Sequence, residues 1–173
     1  MKDKEDFFRR ILSDHQDKIY RLCWSYVQDQ EDGKDLYQSI LIKIWNGIDS
    51  FQDKSSVSTW IYRLAVNTSI DYIRRKKKHR SVDTEVDVLN IHMGDRTTDI
   101  EDNLIVSENL EILHKFINQL SFIDQTLIYF YLEDLKYREI AEILGISEKN
   151  VSIKLHRIKK VLKQYFKDME NDQ

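Results

Sequence analysis

Proline is absent from all 173 residues, and there are only four glycines. With the two strongest breakers so scarce, a fold of many tight turns is disfavoured and long helices are favoured. A lone cysteine, Cys23, excludes an intrachain disulfide and suits a reducing compartment. No apolar run is long enough to span a bilayer. The charged start MKDKEDFFRR has no signal-peptide pattern, so a cytoplasmic protein without membrane insertion is expected. The five histidines are scattered, and none stands at metal-ligand spacing from Cys23 or an acidic pair; no metal site is expected. Neither a phosphate-binding glycine loop nor a nucleophile–base arrangement is present, so neither catalysis nor a cofactor is expected.

What remains is apolar and charged in good measure. Hydrophobic residues make up 41% and charged residues 33%, enough for real cores in one ordinary domain or two small ones. The net charge of −3 argues weakly against a polyanionic partner. That average conceals segregation. Positive charge gathers at 74–80 (Arg74, Arg75, Lys76, Lys77, Lys78, Arg80) and along 149–163, and negative charge between 83 and 111. Local patches govern binding, because screening removes more distant charges beyond about 8–10 Å.

Periodicity divides the chain into two helical blocks. The first covers about residues 5–78, with helical segments at 7–12, 19–27, 35–48 and 58–77. Residues 29–33 read as a loop, and 50–56 as a polar loop ending in serines suited to capping. The second block begins near 107 and runs to 166. Between the blocks, an acidic stretch with no steady apolar period reads as a flexible linker, because it cannot bury enough surface to offset chain entropy. The expected fold is all-α: two small helical domains, 1–79 and 107–173, joined by a linker over 80–106.

The stretch STWIYRLAVNTSIDYIRRKKKHR at 58–80 runs from an apolar helix into a basic cluster. At about 100° per residue, Trp60, Arg63, Asn67, Asp71 and Arg74 share one stripe, with apolar residues on both flanks. Such a helix is buried between neighbours and shows solvent one strip. Arg serves phosphate, Asn base edges and an aromatic ring stacking, so the strip has parts for nucleic acid. An ordinary buried helix with a solvated charge run reads equally well from this segment alone. On the stripe, Asp71 would repel phosphate and is expected to pair with Arg74 or Arg63.

The stretch YREIAEILGISEKNVSIKLHRIKKVL has the grammar of a helix-turn-helix. Ile140, Ala141 and Leu144 form a short apolar face, and Gly145 stands where the turn needs positive φ. Ile146 closes the turn, Ser147 is an N-cap, and Val151, Leu155, Ile158 and Leu162 form the next helix's buried stripe. The opposite arc presents Lys149, Ser152, Ile153, His156, Arg157 and Lys160, a face suited to a major groove. A plain helical hairpin with a solvated basic face is the competing reading.

Taken together, EDGKDLYQSILIKIWNGIDSF, then STWIYRLAVNTSIDYIRRKKK, then a linker, then LKYREIAEILGISEKNVSIKLHRIKKVL, resemble an extracytoplasmic-function (ECF) sigma factor of the sigma-70 superfamily. The resemblance spans about residues 8–166. It implies a protein that binds core RNA polymerase and promoter DNA, is restrained by an anti-sigma factor, and is a monomer when free. By resemblance, Asp35, Gln38, Ile42 and Asn46 face polymerase. Phe51 and Asn67 hold a flipped base of the −10 element, with Trp60, Arg63 and Arg74 near the separating strands. Arg74, Arg75, Lys76 and Lys77 hold phosphates, and Lys149 to Lys160 read the −35 element. Three positions depart from the family's pattern. Gly33 and Lys34 break the acidic pair before D-L-x-Q. Leu120-Ser121 stands for Leu-Pro, with Ser121 and Asp124 a possible capping pair. Ser152 and Ile153 replace basic residues. Two other classes stay open on the residues: a helix-turn-helix operator-binding regulator that never joins polymerase, and an interaction module that binds polymerase or an anti-sigma factor without opening promoters.

Overall fold

In the computed structural model, the described residues are 2–27, 29–80, 116–117 and 119–171. They are arranged in two compact helical units. The expected linker and the expected start of the second block lie outside the described residues.

The first unit is built on α1 (Lys2–Trp24), α2 (Gln30–Gly47) and α3 (Val57–Arg80), with a single 3-10 turn, Ile48–Ser50, after α2. The segments read separately at 7–12 and 19–27 belong to one helix, α1. The expected loop at 29–33 is also corrected, because α2 starts at Gln30. Asp29 is its N-cap: its carboxylate accepts from the backbone N–H of Glu31 at 2.8 Å and of Asp32 at 3.2 Å. Acidic residues in that first turn add a favourable interaction with the helix dipole. Ser56 caps α3 as anticipated, its Oγ accepting from Thr59 N–H at 3.1 Å.

The three helices pack against one another. Ile11, Ile19, Leu22 and Cys23 from α1 meet Leu36, Ile40 and Ile44 from α2 and Ile61, Ala65 and Val66 from α3, all buried. Full burial of one such isoleucine or leucine stabilises by about 1.5–3 kcal/mol. Burial pushes the Cys23 thiol up to about 12, so it stays protonated and unreactive as a core residue. His15 is half-buried. Its Nδ1 stands 3.1 Å from the Tyr62 hydroxyl, and desolvation holds its pKa below the ordinary histidine value.

The second unit carries α4 (Phe122–Leu132), α5 (Tyr137–Leu144) and α6 (Glu148–Asn171). Phe122, Leu127 and Phe130 of α4, Ile140 of α5, and Val151, Leu155 and Ile158 of α6 are buried, and α4 packs against α6. The α5–α6 turn follows the expected chemistry. Gly145 has φ +67°, and Ile146 N–H donates to Ala141 C=O at 3.1 Å, closing a Schellman motif. Ser147 Oγ accepts from Asn150 N–H at 3.2 Å and starts α6. The end of α4 uses the same motif with Asp134 at φ 59°, where Leu135 N–H reaches Phe130 C=O at 3.1 Å. No helix among the described residues is long and apolar enough to cross a membrane.

Candidate nucleic-acid interface

On α3 the stripe read from the sequence faces outward. Arg63, Asn67, Asp71 and Arg74 are exposed and Trp60 is partly so, while Ile61, Ala65, Val66, Thr68, Ser69 and Ile73 are buried on the flanks. Two of the buried flank residues are hydroxylic. They are accommodated because Thr68 Oγ1 donates to Leu64 C=O at 2.7 Å and Ser69 Oγ to Ala65 C=O at 2.8 Å.

At the start of this stripe lies an aromatic cluster. The rings of Phe51 and Trp60 are 5.0 Å apart between centroids, and Phe7 stacks on Phe51 at 6.4 Å. Gly47 permits this, since a Cβ there would come within 3.0 Å of the Trp60 ring. The structure thus joins Phe51 to Trp60. Asn67 stands two turns further along α3, about 10 Å of helix rise away. The Asn67 side chain has no hydrogen bond among the described residues.

The rest of the expected phosphate clamp divides. Lys76 forms an ion pair with Asp32 of α2, whose Oδ1 also accepts from the Tyr72 hydroxyl at 2.9 Å. Arg75 Nε donates to the Asp71 carbonyl at 3.3 Å. Both Arg75 and Lys76 line a groove of about 470 Å³ between α2 and α3 whose opposite wall holds Asp35, Gln38 and Ile42. The cause is helical periodicity: successive residues turn by about 100°, which carries 75 and 76 away from Arg74 toward α2. Lys77 lies beyond the described side chains. Asp71 makes no ion pair with Arg63 or Arg74 among the described residues, so the expected pairing is not found. Of the four residues assigned to polymerase, Asp35, Gln38 and Ile42 share this groove. Ile42 is 59% exposed, and Asn46 is exposed one turn further along α2.

In the second unit, Lys149, Ser152, Ile153, His156, Arg157 and Lys160 are all exposed on α6. Arg157 is not an unengaged reader. Its Nη2 reaches Asp124 Oδ2 at 3.0 Å, and Lys154 Nζ reaches Oδ1 of the same carboxylate at 3.1 Å. Ser121 caps α4 as anticipated, accepting from Asp124 N–H at 3.3 Å, but the Asp124 side chain turns to α6. The ties of Asp32 to Tyr72 and Lys76, and of Asp124 to Lys154 and Arg157, were missed from the sequence. Among the described residues, no group of acidic, histidine or cysteine side chains could hold a metal ion.

Comparison with known proteins decides the family. Sigma-70 region 2 matches residues 11–79, and Sigma-70, region 4 matches 110–162. The chain is an ECF sigma factor of the sigma-70 family. The ECF RNA polymerase sigma factor SigW of Bacillus subtilis is 31% identical over 174 residues, covering 97% of this chain and 93% of the relative. The RNA polymerase sigma factor SigV of the same organism is 30% identical over 154 residues, covering 88% and 86%. Two solved structures share the fold. One is CnrH in complex with the cytosolic domain of CnrY, with TM-score 0.66, 17% identity, and 95% and 90% of the two chains covered. The other is the sigma factor RpoE in complex with the anti-sigma factor NepR from Bartonella quintana, with TM-score 0.67, 20% identity, and 94% and 98% covered. The exposed α3 stripe of this sigma factor falls within its region 2, and the exposed α6 face within its region 4.

Proposed function

We propose that residues 1–79 dock on core RNA polymerase and open the −10 element, that residues 107–173 read the −35 element, and that 80–106 join them. The exposed Trp60–Arg63–Asn67–Arg74 stripe, set between buried flanks, is the observation that carries this. A helix that hides both flanks and offers solvent an aromatic ring, an amide and guanidinium groups suits unpaired bases and their phosphates. The Phe51–Trp60 ring pair gives an unstacked base a platform. Extrusion costs a few kcal/mol, and stacking recovers about 1–3 kcal/mol of it. Asn67 then meets a base edge, and Arg63 and Arg74 meet phosphates. Asp35, Gln38, Ile42 and Asn46 contact polymerase, and the groove geometry favours adding Arg75 and Lys76 to that surface. On α6, Lys149, Ser152, Ile153, His156, Arg157 and Lys160 form the major-groove face.

The sigma factor does no chemistry itself; transcript synthesis belongs to polymerase, in the cytoplasm. The free chain is a monomer. By analogy with the solved complex of RpoE with the anti-sigma factor NepR, an anti-sigma protein restrains it.

Purified full-length protein added to sigma-free core polymerase should form a stable complex and direct run-off transcription from cognate promoters. Failure to bind core polymerase overturns the proposal. Asn67→Ala should lower open-complex formation about tenfold, the scale of one lost base contact, with core binding unchanged. Permanganate footprinting reads this, and an undiminished melted region removes Asn67 from the strand-opening surface. Phe51→Ala should act in the same direction but also loosens the ring cluster, so Asn67→Ala is the cleaner variant.

A further inference from the structure

Ile153 is the sixth residue of α6 and is 55% exposed. At about 100° per residue, Lys149, Ile153, His156 and Lys160 fall within an arc of roughly 60°. A large apolar side chain therefore stands at one edge of this exposed polar and cationic arc, in the early turns that a helix-turn-helix presents to base edges. Single exposed apolar residues are common on protein surfaces, so exposure alone says little. Position and chemistry say more. Isoleucine has no donor or acceptor. Facing a guanine, adenine or cytosine edge, it would strip water from polar groups and give nothing back. The major-groove edge of DNA has one apolar group, the C5-methyl of thymine, and only there is the removal of water favourable.

The two neighbouring cations that could otherwise set the register, Lys154 and Arg157, are both tied to Asp124. That tie fixes the rotation of α6 on its own unit and so fixes which way Ile153 points. We infer that Ile153 reads a thymine of the upstream promoter element through its C5-methyl group, a contact that makes thymine a specificity determinant at one position. The inference rests on the proposal that α6 enters the major groove.

The test uses holoenzyme assembled from the full chain and core polymerase. Duplexes bound preferentially from a pool randomised in the upstream region supply the site. Each thymine in that site is then replaced singly by deoxyuridine, which removes the methyl and nothing else. With the wild-type chain, one replacement should weaken binding about fourfold, the value of one buried methyl-sized group. With Ile153→Ala the same replacement should have no effect, and binding of the thymine duplex should fall to the wild-type level on deoxyuridine. Ile153→Val should retain part of the sensitivity. A selected site without thymine, a flat deoxyuridine scan, or a scan unchanged by Ile153→Ala overturns the assignment while leaving the role of α6 intact. Selection of no upstream sequence at all overturns that role and the assignment with it.

Discussion

Gly33 lies inside α2, where glycine ordinarily costs about 1 kcal/mol relative to alanine. Its presence has a steric cause. A Cβ at this position would stand 2.4–2.7 Å from three atoms of the Trp24 ring, so the indole rests directly on the α2 backbone. The Trp24 ring is itself held edge-to-face by Tyr20 at 5.4 Å, and Tyr20 by Tyr37 at 5.7 Å. The break in the family's acidic pair at Gly33 therefore reflects packing against α1, while Lys34 beside it pairs with Glu31 at 3.0 Å. Overpacking by one methyl costs about 1–3 kcal/mol, more than the helix propensity gained. Gly33→Ala should accordingly lower stability by about 1 kcal/mol in urea denaturation. With Trp24→Ala already made, the same substitution should raise stability, because only the propensity term is left. A double-mutant cycle measures this; equal effects of Gly33→Ala in both backgrounds would remove Trp24 as the cause.

Asp124 ties α4 to α6 at the scale of the elements. The carboxylate is buried and accepts from two cations three residues apart on one face of α6, Lys154 and Arg157. Removing the carboxylate's charge leaves those two cations without their shared partner. The cations reach solvent, so the loss is smaller than for a fully buried pair, and Asp124→Asn should cost about 1–3 kcal/mol. Because the tie also fixes α6, −35 duplex binding by the holoenzyme should weaken as well. Asp124→Asn with wild-type stability and wild-type −35 affinity would leave the tie without consequence. Helix ends such as Ser56, Gly145 and Ser147 were legible in the sequence because a cap is a contact within about four residues. The outward stripe of α3 was legible because one helical period generates it. The start of α2 was not, since Asp29, Asp32 and Gly33 are residue types common in loops, and the capping by Asp29 outweighs them. Nor were the ties that decide which cations are available. Tyr72 and Lys76 meet Asp32, and Lys154 and Arg157 meet Asp124, across 30 or more residues, where no sequence spacing signals contact.

For the molecule as a whole, a net charge of −3 has to be reconciled with binding a polyanion. The reconciliation is local, and it depends on which cations are already neutralised. Arg74 is exposed and has no ion pair among the described residues, whereas the charge of Lys76 is answered by Asp32. Each phosphate contact made by a cation adds roughly 0.7 to 0.9 to the slope of log affinity against log salt, since it releases condensed counterions. Three variants then separate counting charges in a run from counting free ones. Arg74→Ala in holoenzyme should reduce the slope on a forked −10 duplex by about that one contact. Lys76→Ala should leave the slope unchanged, although it lies two residues away in the same basic run. Asp32→Asn should leave it unchanged too, because Lys76, though released, lies in the groove beside Asp35, Gln38 and Ile42 and not beside Arg74. If Lys76→Ala flattened the slope as much as Arg74→Ala does, the basic run would be acting as one undivided clamp and the ion pair with Asp32 would give way on DNA.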